Sequence, residues 1–266
     1  MANSKSVYTQ ILEAIFTKRY RKGAIEIAFE RSEIVQTAHE LGIGLPKNLG
    51  DLIYSFRYRA KMPAAIEQTA PEGCQWIIRP AGVAKYRFVL VRECQITPCP
   101  DMRETKVIDA TPGIVTKYAL NDEQALLARV RYSRLLDIFT GLACYSLQNH
   151  LRTSVPDIGQ VEIDEIYIGT NKHGAHYVLP VQAKVGSDRI GVVQVEQDLA
   201  VCATKFPDAI CCPIAAQFVT GNLIALFELD QEEDRIVLVS EKHYRLVRPE
   251  ELSTKDLKKY QRCSDE

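Results

Sequence analysis

Residues 160–184 have the sequence QVEIDEIYIGTNKHGAHYVLPVQAK, in which two apolar runs flank a short polar turn. The first run, 161–168, alternates acidic and apolar residues with a period of two, which is typical of a half-buried β-strand. Asn171 and Gly174 tolerate positive φ angles and favour a turn. The second run, 177–184, is apolar almost to its end. The stretch therefore predicts a β-hairpin centred on His173.

This hairpin would set Asp164 opposite Gln182 and Glu162 opposite Lys184. Because side chains two residues apart share one face of a strand, all four would project from the same side, provided that the register does not slip. Carboxylates, an amide oxygen and an ammonium at one place suit hydrolysis assisted by Mg²⁺. The alternative is that they form only the solvated face of an amphipathic hairpin. Gln182 and Lys184 end an apolar run, so they would need partners if buried.

Asp164, the hairpin and Gln182-Ala183-Lys184 together resemble the PD-(D/E)xK nuclease superfamily, in the Q-x-K variant found in Mrr-type restriction enzymes. The resemblance implies a phosphodiesterase with a mixed sheet flanked by helices. It also implies that Asp164 and Gln182 bind Mg²⁺, that Lys184 assists the attacking water, and that Glu162 helps as a ligand or as a neighbour of one. Glutamine replaces the commoner acid, which removes a negative charge from the expected site.

Two neighbouring segments bear on this resemblance. Asp157, in the literal Pro156-Asp157 pair, competes with Asp164 for the aspartate role, although the strand of Asp164 pairs directly with the lysine strand. A long helix is expected from Asn121 or Asp122 to about Phe139, and its Glu123 is a candidate for completing the metal site. The segment 146–152 is unusually polar, and Gln148, His150 and Arg152 are predicted to line a DNA cleft, with no catalytic role for His150.

The segment that follows Lys184 is ambiguous. The family places a helix there, packed over the site, and Gln194 would be the residue to touch metal-bound water or DNA. Val192, Val193 and Val195 are β-branched, however, so a third strand is the alternative. Farther on, the runs 214–219, 223–229 and 235–239 predict strands that extend the sheet. The charged segment 255–262 predicts a terminal helix or a frayed end.

The first 95 residues resemble a winged helix-turn-helix domain. Helices are predicted over 7–20, 33–41 and 49–59, and the strands 74–80 and 86–91 are joined by a small basic tip. Such a domain would bind double-stranded DNA, with the third helix in the major groove. The alternative is a protein-interaction module. The residues predicted to contact DNA here are Lys47, Arg57, Arg59, Lys61, Lys85 and Arg87, with Arg79 as a further phosphate contact.

Charge and composition fit two such domains. Through Glu93 the chain holds 14 basic and 9 acidic residues, whereas the remainder holds 19 and 25. A basic front half and an acidic back half are expected of a DNA-binding domain joined to a metal-using domain. We therefore predict a winged-helix domain over 1–95, a connector over 96–118 and a nuclease domain over 119–266. A strand is also predicted over 107–109, with its pairing left open.

The eight cysteines form no C-x-x-C pair, which favours free thiols in a reducing compartment. A zinc site built from Cys202, Cys211 and Cys212 is the alternative. The polar first residues and the lack of a long apolar run predict neither a signal peptide nor a membrane span. The expected location is the cytoplasm.

These patterns predict an α/β protein that hydrolyses DNA with Mg²⁺, as a restriction or phage-defence endonuclease. Because one such centre cuts one strand, a double-strand break would require a homodimer or two successive cuts. Two other functions are consistent with the sequence. One is a DNA-binding regulator without catalysis, and the other is an RNA-processing nuclease. The absence of a G-x-x-x-x-G-K loop and of a G-x-S-x-G elbow argues against a nucleotide-driven motor or a serine hydrolase.

Overall fold

The computed structural model describes residues 6–45, 49–58, 60–92, 96–120, 122–156, 158–186, 190–233 and 235–261. The N-terminal region packs helices against an antiparallel sheet of order β1-β3-β2. Its elements are, in chain order, α1 (Val7–Arg19), β1 (Glu26–Glu30), α2 (Arg31–Glu40), α3 (Leu49–Tyr58), α4 (Ala64–Glu67), β2 (Cys74–Pro80) and β3 (Lys85–Arg92).

The helices of this region form where the sequence places apolar stripes. Ile11, Leu12 and Phe16 recur on one face of α1 and are buried against the sheet. The ring of Phe16 lies 5.1 Å from the rings of both Trp76 and Phe88. Strand β1 was not predicted, although its sequence Glu-Ile-Ala-Phe-Glu alternates exposed and buried residues along its length.

The C-terminal region is built on one large mixed sheet. Its elements are β4 (Glu104–Ile108), α5 (Gly113–Tyr118), α6 (Glu123–Tyr132), α7 (Leu135–Thr140), β5 (Ala143–Val155), β6 (Gly159–Thr170), β7 (His176–Lys184), α8 (Val192–Lys205), β8 (Ile210–Cys211), β9 (Ile214–Phe218), β10 (Leu223–Glu232), β11 (Arg235–Val247), a 3₁₀ turn (Pro249–Glu251) and α9 (Thr254–Gln261).

Eight of the described strands form this sheet, in the order β4-β11-β10-β9-β7-β6-β5, with β8 beside β7. Strands β5, β6 and β7 form an antiparallel meander. Helix α8 then crosses over and returns the chain to β9, which runs parallel to β7. A parallel neighbour cannot be reached by a tight turn, and this requirement selects a helix after Lys184 rather than a third strand.

Two predictions are corrected. The single long helix is broken into α6 and α7 at Arg134, which has a left-handed backbone with φ 53°. The expected connector contains β4, which pairs in parallel with β11 and so belongs to the sheet. The polar segment 146–152 lies within β5, an edge strand whose outward side chains are mostly exposed, which explains its polarity.

Helices cover both faces of the large sheet. Leu126 of α6 and Leu136 of α7 share a core with Leu179 of β7. Val201 and Cys202 of α8 belong to a second core, on the same strands. No helix in the described residues is long and apolar enough to cross a lipid bilayer.

Candidate functional site

The hairpin register predicted from the sequence is present in the structure. Tyr167 pairs with Leu179, and Glu165 pairs with Val181 at the last bridge of the ladder. The turn is closed by the Asn171 side chain, whose Oδ1 accepts hydrogen bonds from the backbone N–H groups of His173 and Ala175. One step beyond the ladder, this register sets Asp164 beside Gln182.

Asp164 is fixed by the backbone of the neighbouring strand. Its Oδ2 accepts a hydrogen bond of 2.8 Å from the backbone N–H of Ala183. Burial raises the pKa of the Asp164 carboxyl, whereas the Ala183 N–H and the charge of Lys184 lower it in part. Asp164 is thus a mostly buried carboxylate, held in one orientation at the end of the β6–β7 ladder.

Gln182 is buried, with 2% of its surface exposed, and its amide bonds to α8. Its Nε2 donates to both carboxylate oxygens of Asp198, at 2.9 and 3.1 Å. Its Oε1 lies 3.4 Å from Nε2 of Gln194. These contacts supply the partners that a buried amide requires, and they turn Oε1 away from Asp198.

Asp198 was not singled out from the sequence. It is 1% exposed, and burial raises its pKa well above the ordinary value, with Asp164 adding to the rise and Gln182 and Lys184 opposing it. A signal for it does exist. Gln194 and Asp198 are four residues apart, so both lie on one face of a helix, and a polar pair at this spacing could have indicated a shared role.

Lys184 contacts the acid predicted at the start of α6. Its Nζ lies 3.3 Å from Oε1 of Glu123, and its side chain is largely buried. Glu123 also contributes to the electrostatic environment of Asp164. We refer to six residues together as the polar cluster: Glu123, Asp164, Gln182, Lys184, Gln194 and Asp198.

Glu162 was predicted to join these residues, but its carboxylate makes contacts on the neighbouring strand. Its Oε1 lies 3.2 Å from Arg152 and 3.7 Å from Nδ1 of His150, both on β5. Gln148 and Arg152 are exposed on that strand, where a DNA cleft was predicted. Asp157, the alternative aspartate, lies outside the described residues.

The predicted DNA-contacting residues of the N-terminal region differ in exposure. Lys61 and Lys85 are exposed. Arg87 forms an ion pair of 3.2 Å with Glu26 of the adjacent strand. The Nε and Nη2 atoms of Arg57 are buried. Lys47 and Arg59 lie outside the described residues.

Arg79 is not available for the predicted phosphate contact. Its guanidinium binds the carboxylate of Glu196 on α8 through two hydrogen bonds, one of them 2.9 Å long. The wing-like hairpin is therefore attached to the C-terminal region at this residue.

The three cysteines proposed for zinc do not form a common site. The Cys211 thiol interacts with Cys202, and this contact and burial raise its pKa. Cys212 instead faces Glu228, at 3.7 Å, and burial raises its pKa to about 12. Across the described ranges, no group of three or more His, Cys, Asp or Glu side chains is arranged to hold a metal ion.

Comparison with known proteins adds no relatives. No protein-family model matches the chain, and no curated protein or solved structure is significantly similar to it.

Proposed function

We propose that the protein is a Mg²⁺-dependent DNA endonuclease of restriction or phage-defence type. The observation that carries this proposal is the polar cluster and its place in the sheet. Asp164 lies on the middle strand of an antiparallel meander, Gln182 and Lys184 lie on the third strand, and Asp198 lies on the crossover helix that follows. This is the placement that the resemblance to PD-(D/E)xK nucleases implies.

The charge of the polar cluster suits a divalent cation. It contains three carboxylates and one ammonium, and burial raises the pKa of both Asp164 and Asp198. Asp164 and Asp198 are largely buried, and the charge of Asp164 adds to the rise in the pKa of Asp198, so a bound cation would stabilise their charged forms. Mg²⁺ prefers oxygen ligands, takes only one or two carboxylates from the protein and keeps several waters. Asp164 and the Oε1 atom of Gln182 are the proposed ligands, and Mg²⁺ would polarise the phosphate and lower the pKa of a bound water.

The remaining residues of the polar cluster have supporting roles in this proposal. Asp198 accepts both hydrogen bonds from the Gln182 amide nitrogen and so directs the amide oxygen away from itself. It also places a carboxyl group directly beside Gln182, and a bound Mg²⁺ would favour the charged form of that group. Lys184, held by Glu123, orients the attacking water or offsets charge that develops on the phosphate.

The N-terminal region supports a DNA-binding role. The predicted helices α1, α2 and α3 and the hairpin of β2 and β3 are present, together with the additional elements β1 and α4, and they support the proposed winged helix-turn-helix domain. The exposed Lys61 and Lys85 are the proposed phosphate contacts. We propose double-stranded DNA as the partner, a homodimer for double-strand cutting, and, from the free cysteines, the cytoplasm as the location.

The proposal is tested by a cleavage assay. The substrates are modified and unmodified plasmid and phage DNA, each incubated with Mg²⁺ or with EDTA. We expect wild-type cleavage to require Mg²⁺ and to fall at least about 100-fold in Asp164→Asn and Lys184→Met. Asp198→Asn should reduce cleavage by about 10- to 100-fold and raise the Mg²⁺ concentration required, because it disturbs a residue that orients a ligand.

Lys172→Met is the matched control, because Lys172 is exposed in the turn of the same hairpin, and it should cleave as wild type does. If folded wild-type protein binds DNA but cuts none of these substrates, the DNA-binding regulator replaces the nuclease. Faster cleavage of RNA than of duplex DNA at the same salt concentration would instead identify an RNA-processing nuclease.

A further inference from the structure

The N-terminal region contacts the C-terminal region at the first turns of α8. Arg79 of β2 forms a two-point ion pair with Glu196, and the two side chains are 20% and 19% exposed. A planar guanidinium that binds both oxygens of a carboxylate fixes direction as well as distance. The pair therefore restrains the rotation and the position of the helix.

Two further contacts fall on the same part of the helix. Ile77, on the same face of β2 as Arg79, packs against the core cluster that contains Val192 and Val195. The carbonyl oxygen of Arg57, in the last turn of α3, lies close to Gly191, where an added Cβ would be 3.5 Å from it. Both α3 and β2 thus meet the N-terminal end of α8.

The opposite face of α8 carries the two residues that this helix contributes to the polar cluster. Gln194 and Asp198 are four residues apart and share the face that meets Gln182. Glu196 lies midway between them in sequence, about 200° around the helix from each, because successive helical residues are separated by about 100°. Helix α8 is therefore held between β2 on one side and β7 on the other.

We propose that Arg79 and Glu196 are positioning residues, through which the N-terminal region holds α8 so that Asp198 and Gln194 orient the Gln182 amide. The inference rests on the proposed nuclease function for its effect on cleavage. The effect of the contact on the orientation of the Gln182 side-chain amide can be measured whether or not the protein cleaves DNA. DNA bound by the N-terminal region would act on the polar cluster through this contact.

The test compares Arg79→Gln and Glu196→Gln with the charge-exchanged double variant R79E/E196R. The ion pair Arg245–Glu104 provides the matched control, because its guanidinium also binds a carboxylate through two hydrogen bonds but joins β11 to β4. Hydrogen exchange of the α8 backbone and the NMR signals of the Gln182 side-chain amide are measured in full-length protein. Cleavage is measured as separate kcat and KM values.

We expect each single variant to speed exchange in the first turns of α8 by about three- to tenfold, as the loss of a partly buried charged hydrogen bond predicts. The Gln182 amide signals should shift, kcat should fall several-fold and KM should stay unchanged. The double variant should restore these values in part, and Arg245→Gln should leave them as in wild type.

Unchanged Gln182 signals and α8 exchange in both single variants would overturn the inference. A shift of these signals with unchanged kcat would overturn the predicted effect on cleavage, since the contact would then position the Gln182 amide without affecting the reacting groups. If wild type cleaves nothing while the signals shift as expected, the nuclease proposal fails but the contact still positions the Gln182 amide.

Discussion

His150 adopts a left-handed backbone, φ 48°, in the middle of an edge strand. Its neighbours Asn149 and Leu151 pair with Glu165 and Ile163, so His150 stands across from Asp164. Non-glycine residues reach this conformation at a cost of about 1–2 kcal/mol. Strand β5 is therefore distorted next to Asp164, at the edge of β6 opposite to the one that pairs with β7.

Replacing His150 with glycine should increase the free energy of unfolding by about 0.5–1 kcal/mol, because relief of the backbone strain exceeds the entropy that glycine gains when unfolded. The side chain is half exposed, so little packing is lost. Urea denaturation measures the change. Ser154→Gly, in the same strand at an ordinary φ, is the control and should lower stability. Equal losses in the two variants would show that position 150 is not strained.

Helix α9 is held on the edge of the large sheet by a small polar network. Asp256 accepts hydrogen bonds from the backbone N–H and the hydroxyl of Ser253, at 3.0 and 2.7 Å, and from Nζ of Lys106, at 3.2 Å. Tyr260 accepts a hydrogen bond from the Lys106 backbone N–H. The network joins the C-terminal helix to β4.

Because Asp256 holds this network together, we expect α9 to detach from β4 at acid pH. Hydrogen bonds from Ser253, and then from Lys106, lower the pKa of Asp256 from 3.8 to about 2. Because the pKa is lowered, the charged Asp256 stabilises the attachment of α9 fully above pH 3.8. This stabilisation is lost as the pH falls towards 2. The ring signals of Tyr260 should therefore shift over this range, and in Asp256→Asn they should already be shifted at neutral pH.

Lys255→Gln is the control for this prediction, because Lys255 is exposed on the same helix. It should retain the pH response of the wild-type protein. Tyr260 signals that stay constant down to about pH 2.5 in wild type would show that Asp256 does not hold the helix.

At the scale of the whole molecule, the chain divides into two regions that have separate hydrophobic cores, one in the N-terminal region and the others on the large sheet. One core lies entirely within the N-terminal region, from Ile11 to Phe88. Ile96, which lies just past that region, is buried with Phe227 in a core of the large sheet. The C-terminal region therefore includes residues that were assigned to a connector.

Fragments test this division. We expect residues 1–92 to unfold cooperatively as an isolated fragment, since their core is self-contained. Residues 96–266 should be more stable than 119–266 by at least about 1.5–3 kcal/mol, because the shorter fragment loses the burial of Ile96 in addition to strand β4. Denaturation of the purified fragments measures both. Equal stability of the two C-terminal fragments would support the predicted boundary at 119.

Local patterns in the sequence were enough to predict several elements of the fold. The alternation of 161–168 and the turn residues Asn171 and Gly174 determined the hairpin and its register, which the structure confirms. The apolar stripe of α1 and the strands 74–80 and 86–91 were predicted nearly to their ends. These features depend on residues that are close together in the chain, so their periodicity is visible in one sequence.

Other features depend on partners far away in the chain. Val192, Val193 and Val195 favour a strand locally, but the parallel pairing of β7 with β9 requires a helix between them. Strand β4 exists because β11, more than a hundred residues later, supplies its ladder. The local sequence indicates a strand at 107–109, but it does not identify the partner in either pairing.

The sequence by itself determined that Asp164, Gln182 and Lys184 would be neighbours, because strand pairing and a period of two fix which side chains meet. Only the tertiary structure decided that Asp198 binds the Gln182 amide and that Glu162 turns towards β5. It also decided that Arg79 binds Glu196. The reason is physical: a buried amide, carboxylate or guanidinium must find a partner, and which partner it finds depends on how separate elements pack together.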